Sequence, residues 1–419
     1  MSPRFSFTSL YGAYPRQFWV LWLGTLINRL GEFVVPLLGF YLSAQQHFSV
    51  TQITLVLALL GVGRFVAEPL GGWLSDFSGA GRTMIMSLGG SAVALVALGF
   101  AEHYSWIVAG VLGYSLLTSL YKPAANTAVA ELTSGSQRAQ AYNLLYWAIN
   151  VGASAAPLLG GFLASRSFRL LFWLDAATTA LSAALLSVAF RPVHTRPRPT
   201  RTSAHRSAGL LPRDPLLWIY MLAALLFSTT YQSYKMLAVV FAQQGFSAVQ
   251  YGQVLAVNGA LVVVLGLPMG HWIARHNHPR WQAVSALLLG AGFGLHAFAH
   301  SLGMHTLAVV IWSLGEIAGY SIGKTIIAEL GRAEVRGRYI GLLGSMSGLG
   351  TLLGPLMGGW LLSRWGNAPL WLTYATLSGL AALIYWRLEQ AVLARRAWLV
   401  QEASQAEHAD AGLALGRRP

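Results

Sequence analysis

The sequence predicts an all-α membrane protein with 12 transmembrane helices, arranged as two pseudo-symmetric six-helix bundles. Hydrophobic residues make up 55% of the 419 residues and charged residues only 10%, whereas roughly a quarter of the residues of a soluble protein are charged. Twelve apolar windows follow one another, each close to the about 20 residues that cross a bilayer core. No water-soluble core could bury twelve such segments. The chain also matches itself at a shift of 198 residues.

Polar breaks separate the predicted spans. The spans comprise residues 18–43, 51–75, 83–101, 105–130, 138–164, 168–190, 215–243, 250–274, 281–300, 305–330, 337–363 and 368–388. The first is too long for a cleaved signal peptide and contains Arg29 and Glu32, so we expect it to remain in the mature protein. The chain has no cysteine, which excludes disulfides and cysteine-ligated metals.

The longest polar stretch between spans divides the chain into two halves. It is rich in proline, arginine and serine, cannot build a core, and predicts a flexible cytoplasmic linker. The predicted units are an N-terminal bundle (1–190), the linker (191–214), a C-terminal bundle (215–390) and a cytoplasmic tail (391–419).

Basic residues lie mostly on one side of this map. Twenty Lys and Arg fall in the N-terminus, the loops after even-numbered spans and the tail, against three, Arg166, Arg169 and Arg364, on the opposite side. Because basic loops remain cytoplasmic, we expect both termini in the cytoplasm, with the protein in the inner membrane of a bacterium. The asymmetry also accounts for the formal charge of +14, so nucleic acid is not an expected partner.

One pattern occurs once in each half, as "GASAAPLLGG" (152–161) and "GTLLGPLMGG" (350–359). Proline removes a backbone hydrogen bond and glycine lets helices approach closely, so the pattern predicts kinked and tightly packed helices 5 and 11. Prolines and small residues are common in membrane helices generally, but recurrence in register favours a specific role. The residues of the motif are Gly152, Pro157, Gly160, Gly161, Gly350, Gly354, Pro355, Gly358 and Gly359.

With these features the chain resembles the major facilitator superfamily over essentially its whole length. The repeated pattern resembles that family's antiporter signature, G-x-x-x-G-P-x-x-G-G in helix 5, with Ala156 in place of one glycine, and the copy in helix 11 matches in full. In the family this signature goes with export. The resemblance further implies that helices 1, 4, 7 and 10 line a central cavity.

The loop "GGWLSDFSGAGR" (71–82) between helices 2 and 3 resembles the gating loop of the same family, G-x-x-x-D-R-x-G-R-R, with Phe77 where a basic residue is usual. We expect Glu131 and Glu329 to pair with nearby arginines. Exposed pairs contribute only up to about 1 kcal/mol each, which suits a gate that opens. The candidate gating residues are Asp76, Arg82, Glu131, Arg138, Arg280, Glu329 and Arg336.

Several ionisable residues fall inside the predicted spans, where an ionised group costs about 2.5 to 3.5 kcal/mol and therefore suggests function. Glu32 and Glu316 lie roughly 22 Å from the cytoplasmic helix ends. We expect Glu32 to be the main proton-coupling group and Glu316 the second. The alternative is a static network that locks helices 1 and 2 together. The candidate set is Glu32, Arg29, Arg64, Glu68 and Glu316, and Asp175 is a further intramembrane charge.

Aromatic and polar residues on the cavity helices suit a large amphipathic ligand. Aromatic residues at helix ends also form interface belts, which is the alternative for part of this set. The candidate substrate-binding residues are Lys122, Asn126, Tyr231, Gln232, Lys235, Trp312, Tyr320 and Lys324.

The sequence therefore predicts a secondary active transporter that exports a small amphipathic, drug-like molecule by proton antiport with alternating access. The alternatives are a lipid or lysolipid flippase and a siderophore or metabolite exporter. An enzyme or a channel is less favoured, because neither a nucleophile or metal constellation nor a selectivity filter is visible. The expected partners are the substrate and the bilayer. We expect a monomer without a cofactor, driven by the proton gradient. Lys122 departs from the pattern of the family, since many of its proton antiporters have an arginine before the helix 4 proline.

Overall fold

The computed structural model describes residues 14–133, 135–190, 214–275, 279–330 and 336–415. In these ranges the chain is helical apart from short turns. The helices are α1 (Arg16–Leu30), α2 (Val34–Ala44), α3 (Val50–Ser78), α4 (Ala80–Gly99), α5 (Tyr104–Ser119), α6 (Tyr121–Leu132), α7 (Gly135–Ala164), α8 (Phe168–Ala189), α9 (Pro215–Gln232), α10 (Tyr234–Gln243), α11 (Ala248–Arg275), α12 (Arg280–Leu295), α13 (Leu302–Leu330), α14 (Arg336–Trp365) and α15 (Asn367–Leu415).

Eleven stretches of the described chain are long and apolar enough to cross a membrane. Two of them are helix pairs, α1 with α2 (span 1) and α9 with α10 (span 7). The predicted span 4 consists of α5 and α6, which are separated at Leu120. Pro123 has no N–H to donate to the carbonyl of Ser119, which weakens the helix at this point. With this pair the predicted twelve-span fold is confirmed.

Two predicted boundaries need comment. The last span was expected to end at 388, but α15 continues without interruption to Leu415, so the predicted tail is helical over most of its length. Residues 191–213 of the predicted linker lie outside the described residues. The first described residue beyond it is Asp214, whose carboxylate accepts hydrogen bonds from the backbone N–H groups of Leu216 and Leu217 and caps α9.

The two halves, α1–α8 and α9–α15, meet mainly along three helix pairs. Helix α7 packs on α11, α3 packs on α14, and α2 packs on α10. An even number of spans places Tyr14 and Leu415 on the same side, here called the terminal side, and the opposite side is called the distal side. Helices α2 and α10 are the distal halves of spans 1 and 7. The halves are therefore in contact on the distal side, where Gly39 lies against Ala238.

The repeated glycine-proline pattern forms equivalent contacts in both halves. Helices α7 and α14 continue through Pro157 and Pro355 without a break, and the contacts of their glycines show that the pattern serves the close packing that the sequence predicts. Its early glycines face the first span of their own half, Gly152 against Arg29 and Gly350 against Ser228. Its last glycine faces the other half, with Gly161 against the backbone of α11 and Gly359 against Thr54 of α3. The pattern therefore occurs twice because each half uses it for the same two contacts.

We predict that Gly161→Ala destabilises the folded protein. An added Cβ at this position would lie 2.6 Å from the backbone oxygen of Ala248, and overpacking of this kind costs about 1–3 kcal/mol. The measurement is the melting temperature of the purified protein in detergent. Gly89→Ala on α4 is the matched control, because nothing lies within 4 Å of its added Cβ. Equal melting temperatures for the two variants would contradict the assigned contact.

Candidate functional site

A cavity of about 170 Å³ lies between the two halves. Spans 1 and 5 form its wall on the N-terminal half, and spans 7, 8 and 10 form its wall on the C-terminal half. Its mixture of one carboxylate, one amide, three aromatic rings and aliphatic groups suits an amphipathic ligand. The lining residues are Glu32, Val35, Pro36, Ala153, Ala156, Pro157, Tyr231, Tyr234, Leu255, Asn258 and Trp312.

Glu316 on α13 is held beside this cavity by two cavity residues. The Tyr231 hydroxyl donates to Glu316 Oε1 over 2.6 Å, and Asn258 Nδ2 donates to Oε2 over 2.7 Å. Asn258 Nδ2 also lies 2.9 Å from the Ser313 hydroxyl oxygen. Asn258 was missed at the sequence level. The available signal was the one amide within the apolar stretch 254–270, and such a group requires a partner when it leaves water.

Glu32 lies at the break between α1 and α2, so its carboxylate enters the cavity from an unwound segment. It forms an ion pair with Arg29, as its i, i+3 spacing predicts. Gly31 has no room for a side chain, because Thr178 of α8 occupies the space where a Cβ would lie. The break is therefore supported from outside by α8.

Asp175 on α8 caps the helix that follows this break. Its side chain is only 2% exposed, and its Oδ2 accepts a hydrogen bond from the backbone N–H of Val34 over 3.1 Å. Thr179 donates to the other carboxylate oxygen over 3.4 Å. The first N–H groups of a helix have no partner within the helix, so Asp175 makes the restart at Val34 possible. Sequence reasoning identified Asp175 as an intramembrane charge and gave it no role.

A second ion pair lies on α3. Arg64 Nε is 2.7 Å from Glu68 Oε1, the i, i+4 pair that the sequence predicts. Lys122 Nζ on α6 lies 4.0 Å from the same carboxylate oxygen. The pairs of Arg29 and Arg64 are each contained within one span, and no ion pair among the described side chains joins them. The structure therefore does not contain the static network between helices 1 and 2 that was the alternative.

The aromatic candidates form one wall of the site. The Tyr231 ring lies edge-on to Trp312 at 6.2 Å and to Tyr320 at 5.2 Å between centroids, and 5.6 Å from Tyr234. Tyr231 and Tyr320 are half-buried, whereas Trp312 is buried. These residues face the centre of the protein and are not part of an interface belt.

Other substrate candidates occupy different surroundings. Gln232 and Lys235 are both buried, and Lys235 Nζ donates to Gln232 Oε1 over 2.6 Å. In this conformation they belong to the wall of span 7 and are not open to the cavity. Asn126 is exposed on α6, and its backbone carbonyl accepts a hydrogen bond from Tyr142. Lys122 and Lys324 are exposed.

The gating candidates of the N-terminal half differ from expectation. Glu131 makes no ion pair with Arg82 or Arg138 among the described side chains. Arg138 instead donates to the carbonyl oxygens of Ala130 and Thr133 at the end of α6, over 3.0 and 3.4 Å. The reason is geometric, because the last carbonyls of a helix lack partners within it and attract a nearby cation. Partial burial, and after it the nearby charge of Asp76, raises the pKa of Glu131.

The gating candidates of the C-terminal half are bound to the extended helix α15. Arg280 Nε lies 3.3 Å from Glu389, and Glu329 lies 2.7 Å from Arg396. The side chain of Arg336 lies outside the described residues. Asp214 also accepts from Arg395 over 3.0 Å. The long helix therefore ties together the terminal ends of spans 7, 9 and 10, which the sequence did not reveal.

Comparisons with known proteins agree with this architecture. The family model described as Major Facilitator Superfamily matches residues 21–275 and 236–406. The uncharacterized MFS-type transporter YqjV of Bacillus subtilis is 25% identical, over 87% of this chain and 91% of its own. The multidrug resistance protein MdtH of Aeromonas salmonicida is 25% identical, over 84% of this chain and 88% of its own. A solved peptide transporter POT in complex with sulfate has the same fold, with a TM-score of 0.76 and 13% identity over 93% of this chain and 99% of that one.

We predict that Asp175→Ala lowers stability by about 1–2 kcal/mol, because it leaves the N–H of Val34 buried without an acceptor. Asp175→Asn retains an oxygen at the same place and should lose less. Melting temperature in detergent is the measurement. Ser187→Ala on the same helix is the control, since that exposed hydroxyl bonds only to a carbonyl of its own turn. Equal melting temperatures for Asp175→Ala and Ser187→Ala would show that the capping role is wrong.

Proposed function

This chain belongs to the major facilitator superfamily, and we propose that it is a secondary active transporter that exports a small amphipathic molecule in exchange for protons. The observation that carries the proposal is the meeting of two carboxylates at one central cavity. Glu32 comes from the N-terminal half and Glu316 from the C-terminal half. The multidrug resistance name of the MdtH relatives supports a drug-like substrate.

Proton coupling follows from the cost of a carboxylate away from water. Such a group is stable in an apolar cavity only when it is protonated, ion-paired or hydrogen-bonded. Glu32 has Arg29 as its partner, and Glu316 has Tyr231 and Asn258. A ligand that enters the cavity competes for these partners and changes whether the carboxylates hold a proton. Substrate and proton thereby exclude each other, which is the requirement for exchange.

Alternating access follows from the two-half architecture. Parallel repeats rock against each other around a site near the midplane. In the present conformation the halves touch on the distal side, and exposed charged residues such as Lys122 and Lys324 lie toward the terminal side. Opening the distal side requires separation of α2 from α10. The gating charges near Asp76 and Arg82 then come together on the terminal side.

The proposed orientation places both termini in the cytoplasm of a bacterium, because the terminal side carries most of the arginines. The conformation is then open toward the cytoplasm. We propose a monomer, since each chain contains a complete cavity between its two halves. The proton gradient is the energy source, and no cofactor is required. A lysolipid flippase and a siderophore or metabolite exporter share this cavity and differ in the molecule carried.

We predict that Glu32→Gln abolishes transport driven by a pH gradient. Glutamine cannot exchange a proton, so the gradient loses its effect, while the amide still fits the cavity. The measurement is efflux of an amphipathic dye from proteoliposomes with and without an imposed gradient, and Glu316→Gln should lower the gradient response in the same way. We expect at least about a tenfold loss for Glu32→Gln.

The control is Glu102→Gln, because Glu102 is 74% exposed and pairs with Arg169 at the surface. Its gradient-driven rate should equal that of the wild type. Full gradient-driven efflux by the Glu32→Gln variant would remove Glu32 from the coupling step. Wild-type efflux that ignores the gradient would remove proton antiport altogether.

A further inference from the structure

The chain has only three lysines, and all of them lie within membrane spans. They are Lys122, Lys235 and Lys324, on spans 4, 7 and 10, while the other 25 basic residues are arginines. The predicted loops therefore contain arginine and no lysine. A lysine in a span is expensive unless it meets water, a counter-ion or a ligand.

Two of these lysines come from opposite halves and are both exposed. Lys122 belongs to the N-terminal half and Lys324 to the C-terminal half, and they lie near enough for their charges to repel each other. Both side chains are exposed, and that of Lys122 is 60% exposed. Arg64 lies near both, since it interacts electrostatically with each of them. The open space between the halves is therefore bordered by three cations.

These cations are not balanced by acidic groups. Glu68 is paired with Arg64 and lies 4.0 Å from Lys122. Among the described side chains, no carboxylate lies within ion-pair distance of Lys324. One carboxylate therefore faces three cations. An excess of positive charge within a membrane attracts a soluble anion strongly, because the surrounding hydrocarbon screens it poorly.

The cation cluster lies next to the aromatic wall. Lys324 follows Tyr320 by one helical turn and lies eight residues, about 12 Å, nearer the terminal end of α13 than Glu316. A molecule with a charged head at the lysines would place an apolar body against Tyr320 and Tyr231. This arrangement matches one amphipathic ligand lying along the axis of the transporter.

From this geometry we infer that the exported molecule carries an anionic head group, such as a carboxylate, a sulfonate or a phosphate, which binds between Lys122 and Lys324 with Arg64 beside them. The inference rests on the proposed transport function. An anion bound at this position would also explain why the terminal side of the transporter closes. Without ligand, like charges on opposite halves repel and hold the terminal side open. A bound anion attracts both lysines and draws the two halves together around it.

The first test uses the small number of amines. An acetylating reagent is applied to the full-length protein in detergent, and modification is measured by mass spectrometry in the absence and presence of 8-anilinonaphthalene-1-sulfonate. We expect Lys122 and Lys324 to be modified and to be protected by the anion, while buried Lys235 resists throughout. Equal modification of Lys122 and Lys324 with and without the anion would overturn the inference.

The second test compares probes of opposite charge in proteoliposomes, the anionic anilinonaphthalene sulfonate and the cationic ethidium. Lys122→Gln and Lys324→Gln should each weaken the apparent affinity for the anion on the order of tenfold, the usual scale for a charge-assisted hydrogen bond. Lys122→Arg and Lys324→Arg retain the charge and should lose less. The glutamine variants should lose more affinity for the anion than for ethidium.

A third experiment distinguishes whether the anionic head group belongs to a lipid or to a soluble molecule. A fluorescent lysophosphatidylglycerol in the vesicle membrane reports lipid translocation. Competition by free anilinonaphthalene sulfonate shows whether the lipid and the sulfonate bind the same lysines. Lysine-dependent movement of either probe supports the anion site and identifies its source.

The outcomes distinguish this inference from the proposed function. Equal apparent affinity for the anion in the wild type and in both glutamine variants, with gradient-driven ethidium export retained, would overturn the anion site and leave proton antiport standing. Lysine-dependent anion transport without any response to a pH gradient would retain the anion site and remove proton antiport.

Discussion

The cost of an ionised side chain in hydrocarbon organises this protein. Within the spans, each charged group whose side chain is described has an assignable compensation. Arg29 and Glu32 pair, Arg64 and Glu68 pair, and Asp175 caps a helix. Glu316 accepts hydrogen bonds from Tyr231 and Asn258, Lys235 donates to Gln232, and Lys122 and Lys324 are exposed. The central cavity is therefore a physical requirement of the sequence, because these groups need a wet or polar environment and the bilayer provides none.

Close approach of helices supplies the second constraint. In a membrane, packing and backbone contact replace the hydrophobic effect between helices. The two copies of the glycine-proline pattern place a glycine at each crossing, first against the opening span of the same half and last against the other half. The contacts between the halves are thus close and repeated. Such surfaces can separate and re-form with little rearrangement, which suits a carrier.

The break in span 1 shows how the two constraints combine. An unwound segment frees backbone groups that must find partners, and Asp175 provides one from α8. The same break turns the carboxylate of Glu32 toward the cavity. A charged site and its structural support are therefore one unit. The terminal ends of spans 7, 9 and 10 have a comparable support in α15, which binds Asp214, Arg280 and Glu329.

Sequence alone predicted the twelve spans, the repeat and the two ion pairs, because hydrophobic length and i, i+3 or i, i+4 spacing are local properties of a helix. It also named Glu32, Tyr231 and Trp312 as candidates, which line the cavity, and Glu316, which is hydrogen-bonded to Tyr231 beside it. Partners from distant parts of the chain could not be predicted. Asn258 beside Glu316, Asp175 at Val34 and Arg396 beside Glu329 depend on how helices lie against each other. Only the tertiary structure decided these contacts, since neither helix rotation nor neighbour identity is encoded in the periodicity of a single apolar segment.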